Sequence, residues 1–538
     1  MIPRQFHFAT LLFLITYLMI CTSNGSPQDK MNVLLIVADD FRQALGSYGN
    51  TVVKTPNLDQ LAQRSIRFTK AASQQAVCGP SRISFLTGRR PDTTKLVYNK
   101  KLTYWRVNAG NFTTLPQHFK DSGYFTASSG KVFHPGKASN STDDYPYSWT
   151  IPPYHPSTHE YKNAPVCPSV DGQLHTNVVC PVDVKKQPEG TLPDIQSTQY
   201  ALNFLKNYTD SNNNNNQPFF LAVGYHKPHL PLKYPKEFLD MYPIEEIDIA
   251  ANPELPFDLP PVAYEPWTDL RWRDDIAALN LSFPYERIPD FYAKRIIQSY
   301  YAATTYMDSL VGQLLTALDE YGLTGNTIVS FIGDHGFALG EHQEWSKYSN
   351  FRGTTNVPLI IHVPGMTDNR DHGGSGIVSD ALVELVDLFP TLAELAELKV
   401  PDLCPDDSSN ITLCSEGLSF APLLKNLDMP WKKAIFSQHP RPSDEPQQNS
   451  CAPTLSEITI MGYSMQTSSY HYAEWIQYDH ETQKGNWSNV HARELYLGPQ
   501  DDVNVASVPS LSNLVQDLSD QLRKGWRNAL PENSYVNA

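Results

Sequence analysis

Asp39 and Asp40 close the apolar run MNVLLIVADD (Met31 to Asp40), and Asp334-His335-Gly336 closes a second, NTIVSFIGDHG (Asn326 to Gly336). A third run, PFFLAVGYHKPH (Pro218 to His229), ends in His226, Lys227 and His229 within a Pro-braced loop. Taken one at a time these are ordinary polar residues at strand ends. Taken together, carboxylates at one sheet edge repel unless a cation joins them. A hard, oxygen-liganded ion such as Ca²⁺ or Mg²⁺ suits that donor set better than Zn²⁺ and needs one further ligand. A lone cysteine, Cys78, stands in QAVCGPSRISFLTGR (Gln75 to Arg89), followed by Gly, Pro, Ser and Arg where a helix begins. Arg82 falls about one helical turn later and can hold a fixed positive charge in the same locale.

The elements that must position these groups are legible from periodicity. The three apolar runs read as buried parallel strands whose carboxyl ends carry the chemistry, the end at which open α/β sheets bind ligands. VPLIIHVPG (Val357 to Gly365) reads as a fourth strand of the same kind. Apolar spacing at three and four predicts a helix over Arg295 to Gly322, and another over Ser379 to Leu398 starting on a Ser cap. Alternating strands and helices indicate an α/β fold, a mostly parallel sheet covered on both faces. After about Trp431 the pattern changes: Glu457 to Tyr478 alternates as an antiparallel hairpin, and a last helix covers about Leu514 to Asn528. The expected division is a leader over 1–25, a catalytic domain over 26–430 and a smaller α+β subdomain with an antiparallel sheet over 431–538. The run Asn212 to Asn216 reads as a surface loop without chemistry.

The whole chain narrows the class. Its 538 residues, 41% hydrophobic with 42 prolines, describe a folded protein with long, Pro-stiffened connections. A net charge of −15 disfavours nucleic-acid binding. Residues 1–25, with Arg4 before an apolar run from Phe8 to Ile20, have the build of a secretory signal peptide; no later segment is long enough for a membrane span. Six sequons, at Asn111, Asn140, Asn207, Asn280, Asn410 and Asn486, fit a glycoprotein on that route. Of seven cysteines, Cys21 falls in the leader. The short spacings of Cys167 with Cys180 and of Cys404 with Cys414 favour local disulfides. Cys78 and Cys451 are left over and could pair with each other.

The segment CGPSR matches the C-x-P-S-R signature of sulfatases, and LTGR (Leu86 to Arg89) matches its second half. With the Asp-Asp strand before it and the Asp-His-Gly strand after it, the chain resembles the sulfatase family. That resemblance implies an alkaline-phosphatase-like α/β sandwich, and a formylglycine produced from Cys78 by a formylglycine-generating enzyme during secretion. It also implies one Ca²⁺ ion held by Asp39, Asp40, Cys78, Asp334 and His335. In that chemistry the hydrated aldehyde supplies a nucleophilic hydroxyl, and its second hydroxyl lets the aldehyde re-form and expel sulfate. By the same resemblance Arg82 holds the diol or sulfate, Lys131 and Lys347 bind sulfate, His134 supports the diol and His229 protonates the leaving oxygen.

Longer stretches, among them FLTGRRPDTT, YWRVNAGNF, GKVFHPG, PYSWTIPPYHPS and DHGFALGEHQEWSKYSNF, resemble the lysosomal members that release the 2-O-sulfate of non-reducing-end iduronate from heparan and dermatan sulfate. The expected partners are therefore sulfated glycosaminoglycan oligosaccharides. The expected site of action is the lysosome, with some secretion, as a monomer with an acidic optimum. Substrate-binding candidates beside the matched motifs are Tyr98, Trp105, Phe337, His342 and Tyr348; Phe337 stands where the family has Trp. Three alternatives share these features: a sulfatase for another sugar, a phosphatase or phosphonate hydrolase on the same fold, and a secreted glycan-binding homologue without activity.

Overall fold

Asn32–Asp39 (β1) is buried along its whole length, as a strand covered on both faces must be. Its side chains divide alternately between two cores: Leu34, Ile36 and Ala38 join one apolar cluster, while Val33, Leu35 and Val37 join the other. Each buried Leu, Ile or Val contributes roughly 1.5–3 kcal/mol, so the strand is anchored from both sides. The structure, a computed structural model, describes residues 30–210, 217–368 and 376–532; the expected leader, with Cys21, and the Asn212–Asn216 run lie outside the described residues.

Ile66–Ala72 (β2), Phe125–Gly130 (β3), Phe219–Pro228 (β4), Thr327–Gly333 (β5), Asn356–His362 (β6) and Ile377–Glu384 (β7) complete a seven-stranded sheet in the order β7-β2-β6-β5-β1-β4-β3. All neighbours are parallel except β6, which runs antiparallel to both β2 and β5. The expectation of a fourth parallel strand at Val357 to Gly365 is corrected here. Between Gly333 and Asn356 there are only a small two-stranded hairpin, the 3-10 turn Glu341–Gln343 at its tip and the one-turn helix Arg352–Thr355. No crossover helix returns the chain to the far edge, so β6 starts where β5 ends and runs back.

Five helices matter for the site and the cores: Cys78–Thr87 (α1), Pro193–Asp210 (α2), Asp290–Glu320 (α3), Leu388–Leu395 (α4) and Ser512–Lys524 (α5). α2 and α3 cover one face of the sheet, α1 and α4 the other. α3 starts five residues before the expected Arg295, directly after Pro289. The expected helix over Ser379 to Leu398 is also corrected: its first residues complete β7, where exposed and buried positions alternate, and helical structure starts only after Glu384. There Glu384 and Asp387 form a capping box, so the break is written in two carboxylates that the Leu-rich spacing hides.

Ile435–Arg441 (β8), Ile460–Gln466 (β9), His471–Asp479 (β10) and Lys484–Tyr496 (β11) form an antiparallel sheet in sequence order, and β9 with β10 is the expected hairpin. The last helix, α5, stops at Lys524 and passes into a 3-10 turn, Trp526–Ala529; it covers the sheet through Leu518 and Leu522 against Met465, Tyr472 and Leu495. β8 is tied to the chain leading into α1: Ser437 Oγ donates to the Ser73 carbonyl at 2.6 Å and the Gln438 amide to that of Gln74 at 2.9 Å. Cys167 bonds to Cys180 and Cys404 to Cys414; Cys78 and Cys451 are free and buried, so they do not pair with each other. The six sequon asparagines are all exposed.

Candidate active site

β1 lies between β4 and β5, so the carboxyl ends of three strands meet at one edge. Asp39 ends β1 and Asp40 turns away from it in the left-handed region, at φ 58°, a conformation that costs a non-glycine residue energy and marks a constrained position. Its amide donates to Asp334 Oδ1 at 3.1 Å, as does the His335 amide at 2.9 Å, so one carboxylate orients both neighbouring turns. α1 begins at Cys78 itself. Its sulfur lies 3.3 Å from Asp39 Oδ1, 3.3 Å from His335 Nε2, 3.4 Å from Lys347 Nζ and 4.0 Å from Asp40 Oδ1.

Asp39, Asp40, Cys78 and His335 each offer a ligand atom within 4.8 Å of the others, and all four are buried. Asp40 Oδ2 has no hydrogen-bond partner although it is shielded from water, an uncompensated cost that a cation would relieve. A buried, mainly carboxylate set of this kind fits a divalent metal. The fifth expected ligand, Asp334, sits beside them, its Oδ1 3.6 Å from His335 Nε2 and its Oδ2 2.9 Å from Arg82 Nε.

Arg82 is fully buried and does not line the cavity. Its guanidinium forks between Asp334 and Asp39, the latter at 3.2 Å, and also donates to the backbone carbonyls of Lys131 and Val132. The expectation that Arg82 reaches the diol or sulfate therefore gives way to a positioning role: its four hydrogen bonds all go to carboxylates and backbone. Lys131 follows β3 and crosses close over β4; a Cβ at Gly224 would lie 2.0 Å from the Lys131 carbonyl, so only glycine lets the two chains pass. Lys131 pairs with Asp39 and Lys347 with Asp40. Ser346 and Tyr348, on either side of Lys347, both have positive φ, 73° and 79°. That loop is held from outside: Asp269 accepts from Ser346 Oγ at 2.7 Å, and Arg441 of β8 donates to the Tyr348 carbonyl at 2.9 Å.

The electrostatics follow from this packing. Burial would raise Asp39, but Lys131, His229, Arg82 and Lys347 together hold it well below the ordinary carboxylate value. For Asp334 burial wins over Arg82 and His335 and carries it to about 7. His335 goes up to about 9, the pull of Asp334 and Cys78 exceeding the cost of burial. Burial and Asp39 oppose a thiolate at Cys78, yet Lys131, Lys347 and His335 bring it down to about 7.

Cys78, Asp39, Lys131, His134, His229, Lys347 and Tyr348 share one cavity of about 360 Å³. His229 Nε2 stands 3.8 Å from Asp40 Oδ2, and its Nδ1 donates to the Leu230 carbonyl at 2.6 Å. His134 Nδ1 is buried without a partner. Of the five proposed substrate contacts only Tyr348 lines the cavity. Trp105 is fully buried in the α1-side core and Tyr98 packs in the same cluster. Phe337 stacks on Tyr300 at 5.2 Å, behind Asp40. His342 packs at a tilt against Phe351, ring centroids 4.3 Å apart, and bonds to Asn252 and the Gln500 carbonyl. Proximity in sequence to a matched motif does not bring these four to the cavity lining, because the flanking residues turn inward to build the walls.

Sequence reasoning missed Asn99, His159, Lys162 and Asp194, which also line the cavity. The first three sit in turns with no motif, and nothing local signals them. Asp194 is legible only from its partner: it accepts the His226 and Lys227 amides at 2.8 and 2.9 Å and contacts His226 Nδ1 at 3.0 Å.

Comparison with known proteins agrees with this geometry. A human iduronate 2-sulfatase is 51% identical over 508 residues, 89% of this chain and 91% of the relative. The mouse iduronate 2-sulfatase is 48% identical over 547 residues, 96% and 98% of the two chains. In fold, the chain is similar to a phosphonate monoester hydrolase from Silicibacter pomeroyi, TM-score 0.67 at 20% identity, covering 94% of this chain and 97% of that one. Residues 31–398 match the Sulfatase family model, and with a buried cysteine joined to strand-end carboxylates inside that span, the chain belongs to the sulfatase family of sulfuric ester hydrolases.

Proposed function

We propose that this protein is a lysosomal exo-sulfatase that removes the 2-O-sulfate of non-reducing-end L-iduronate in heparan and dermatan sulfate. The observation that carries the reading is the 51% identity to human iduronate 2-sulfatase across nearly all of both chains. The exposed sequons support glycosylation along a secretory route, and the change of architecture after β7 and α4 supports a catalytic domain over 26–430 with a C-terminal subdomain over 431–538. No helix among the described residues is long and apolar enough to cross a membrane.

Asp39, Asp40, Asp334 and His335 would hold Ca²⁺, which when bound acidifies a nearby hydroxyl and polarises a sulfate oxygen. Cys78 would be converted to formylglycine, whose hydrate supplies both the attacking hydroxyl and a second one that expels sulfate without water reaching sulfur. The chain's own residues do the rest. Lys131 and Lys347 flank Cys78 from two sides and can neutralise the oxygens of the sulfate as they gain charge. Arg82 keeps Asp39 and Asp334 aimed at that point. His134 lines the same wall with a bare Nδ1 able to bond a hydroxyl. His229 holds one proton on Nδ1 against the Leu230 carbonyl, leaving Nε2 to pass a proton to the departing sugar oxygen. Burial, then Lys162 and Lys347, hold His229 well below the ordinary imidazole value. A bound anionic sugar offsets those cations, and an acidic compartment favours the protonated form the transfer needs.

The test is peptide mass spectrometry across Cys78 together with turnover of 2-, 6- and N-sulfated terminal sugars. The expected result is loss of sulfur at residue 78 and selective release from the 2-sulfated iduronoside. An intact thiol in protein that still hydrolyses the sugar refutes the mechanism, and preference for another position refutes the substrate.

A further inference from the structure

The cations assigned to the reacting sulfate are already partnered: Lys131 with Asp39 and Lys347 with Asp40. A third lysine in the same cavity is not. Lys162 is half-buried in the cavity wall, within electrostatic reach of Lys131 and Lys347, yet it forms no ion pair with a carboxylate among the described residues. Its ammonium is pushed down to about 8, first by burial and next by Lys131. Beside it, the His159 ring lies 4.5 Å from that of His226 and makes no hydrogen bond through its own nitrogens among the described residues. Burial, then His226 and Lys162, drives His159 down to about 3. Two groups that would each gain from a negative charge therefore stand together without one.

The wall that carries them is rigid. His159 lies in the 3-10 turn Ser157–Tyr161, and Lys162 follows it directly. Thr158 ties that turn to Gln196 of α2, through its amide at 3.2 Å and its hydroxyl at 2.6 Å. His226 is pinned by Asp194, also on α2, at 3.0 Å. The wall is thus built on α2 and the end of β4, apart from the Asp39, Asp40 and Cys78 floor, which stands on β1 and α1. A cation carried on a braced backbone pays less reorganisation cost when an anion arrives, a condition that favours discrimination by one charged contact.

We propose that Lys162, with His159 and His226, forms a second anion subsite that holds an oxyanion of the substrate other than the sulfate being removed. Resting on the reading of the preceding section, this makes the preferred substrate a polyanionic chain end. The oxyanion is either a sulfate on the neighbouring sugar or the carboxylate of the terminal one.

Three substrates separate these sources: an aryl iduronoside 2-sulfate, its disaccharide with unsulfated glucosamine, and the disaccharide with 6-sulfated glucosamine. Lys162→Ala should lower kcat/KM by about tenfold, mostly through KM, and Lys162→Arg should restore most of it. A loss confined to the 6-sulfated disaccharide assigns the neighbour's sulfate; a similar loss on all three assigns the terminal carboxylate. Less than a twofold change on every substrate overturns the subsite, as does a loss residing in kcat alone. If the wild-type protein turns over none of the three, the substrate reading fails by itself. The subsite is then read from thermal shift with the same disaccharides, where an equal shift in wild type and Lys162→Ala overturns it.

Discussion

Arg82 and Asp334 form a fully buried ion pair, Nε to Oδ2 at 2.9 Å, and neither side chain lines the cavity. The signature arginine is thereby a brace for the metal-side carboxylates. Removing it leaves Asp39 and Asp334 short of a cation in a dry interior, which costs about 3–5 kcal/mol. Arg82→Leu should lower the denaturation midpoint accordingly. Arg82→Lys, which keeps charge but cannot fork between two carboxylates, should fall between. Equal midpoints for wild type and Arg82→Leu would show that the pair contributes nothing.

Asp40 Oδ2 is buried without a hydrogen bond, its nearest ion-pair neighbour being His229 Nε2 at 3.8 Å, while Asp40 Oδ1 contacts Lys347. A ligand that binds only the folded state stabilises it by about 2.7 kcal/mol at a hundredfold excess over Kd. Added Ca²⁺ should raise the Tm in a saturable manner and chelation should reverse it, with Asp40→Asn weakening the response at least tenfold. A Tm indifferent to Ca²⁺, Mg²⁺ and chelator alike would contradict a cation at this edge.

His229 is proposed to protonate the leaving oxygen, a need that depends on the leaving group. A sugar alcohol requires the proton; a nitrophenolate barely does. His229→Asn should therefore cost about 10²–10⁴ in kcat on an iduronoside and much less on an activated aryl sulfate. Equal losses on both would place His229 in binding or structure instead.

Much of this site can be read from the chain before any coordinates, and the reason is physical. Asp39, Asp40, Asp334 and His335 follow apolar runs directly, and a buried parallel strand has one chemically useful end. Cys78 is legible because Gly, Pro, Ser and Arg follow it at fixed spacing. Lys162 and His159 were invisible because they come from a turn whose anchors, Glu189, Gln196 and Lys233, lie about thirty to seventy residues further on. β6 and β7 misled for a related reason: strand direction depends on the length and route of the connection, and the Leu-rich spacing after Ser379 satisfies strand and helix alike. Phe337 and His342 adjoin the Asp-His-Gly motif, but adjacency along a loop says nothing about which side faces the cavity.

Behind the Lys347 loop lies a buried acidic group, Glu265, Asp269 and Glu344, and it sets the last expectation. Burial lifts Glu344 to about 8 and Asp269 to about 6, and with its two neighbours it lifts Glu265 well above the ordinary range. Unfolded, these carboxyls titrate near 4. Between that value and 6 to 8 the folded state therefore binds more protons than the unfolded one, so stability is full at low pH and falls as pH rises. Glu384, held down to about 2 by Arg90 and Lys432 against the cost of burial, acts in the opposite sense and loses its contribution only as pH drops below 4 toward 2. The buried histidines His134, His229 and His439, lowered first by burial, oppose the acidic group below about pH 6.5, so its share is read as a difference between variants. Thermal melts of Glu344→Gln, which cannot ionise, should lose less Tm between pH 6 and pH 8 than the wild type does. Parallel Tm profiles for the two proteins would mean that this buried acidic group does not contribute to the pH response.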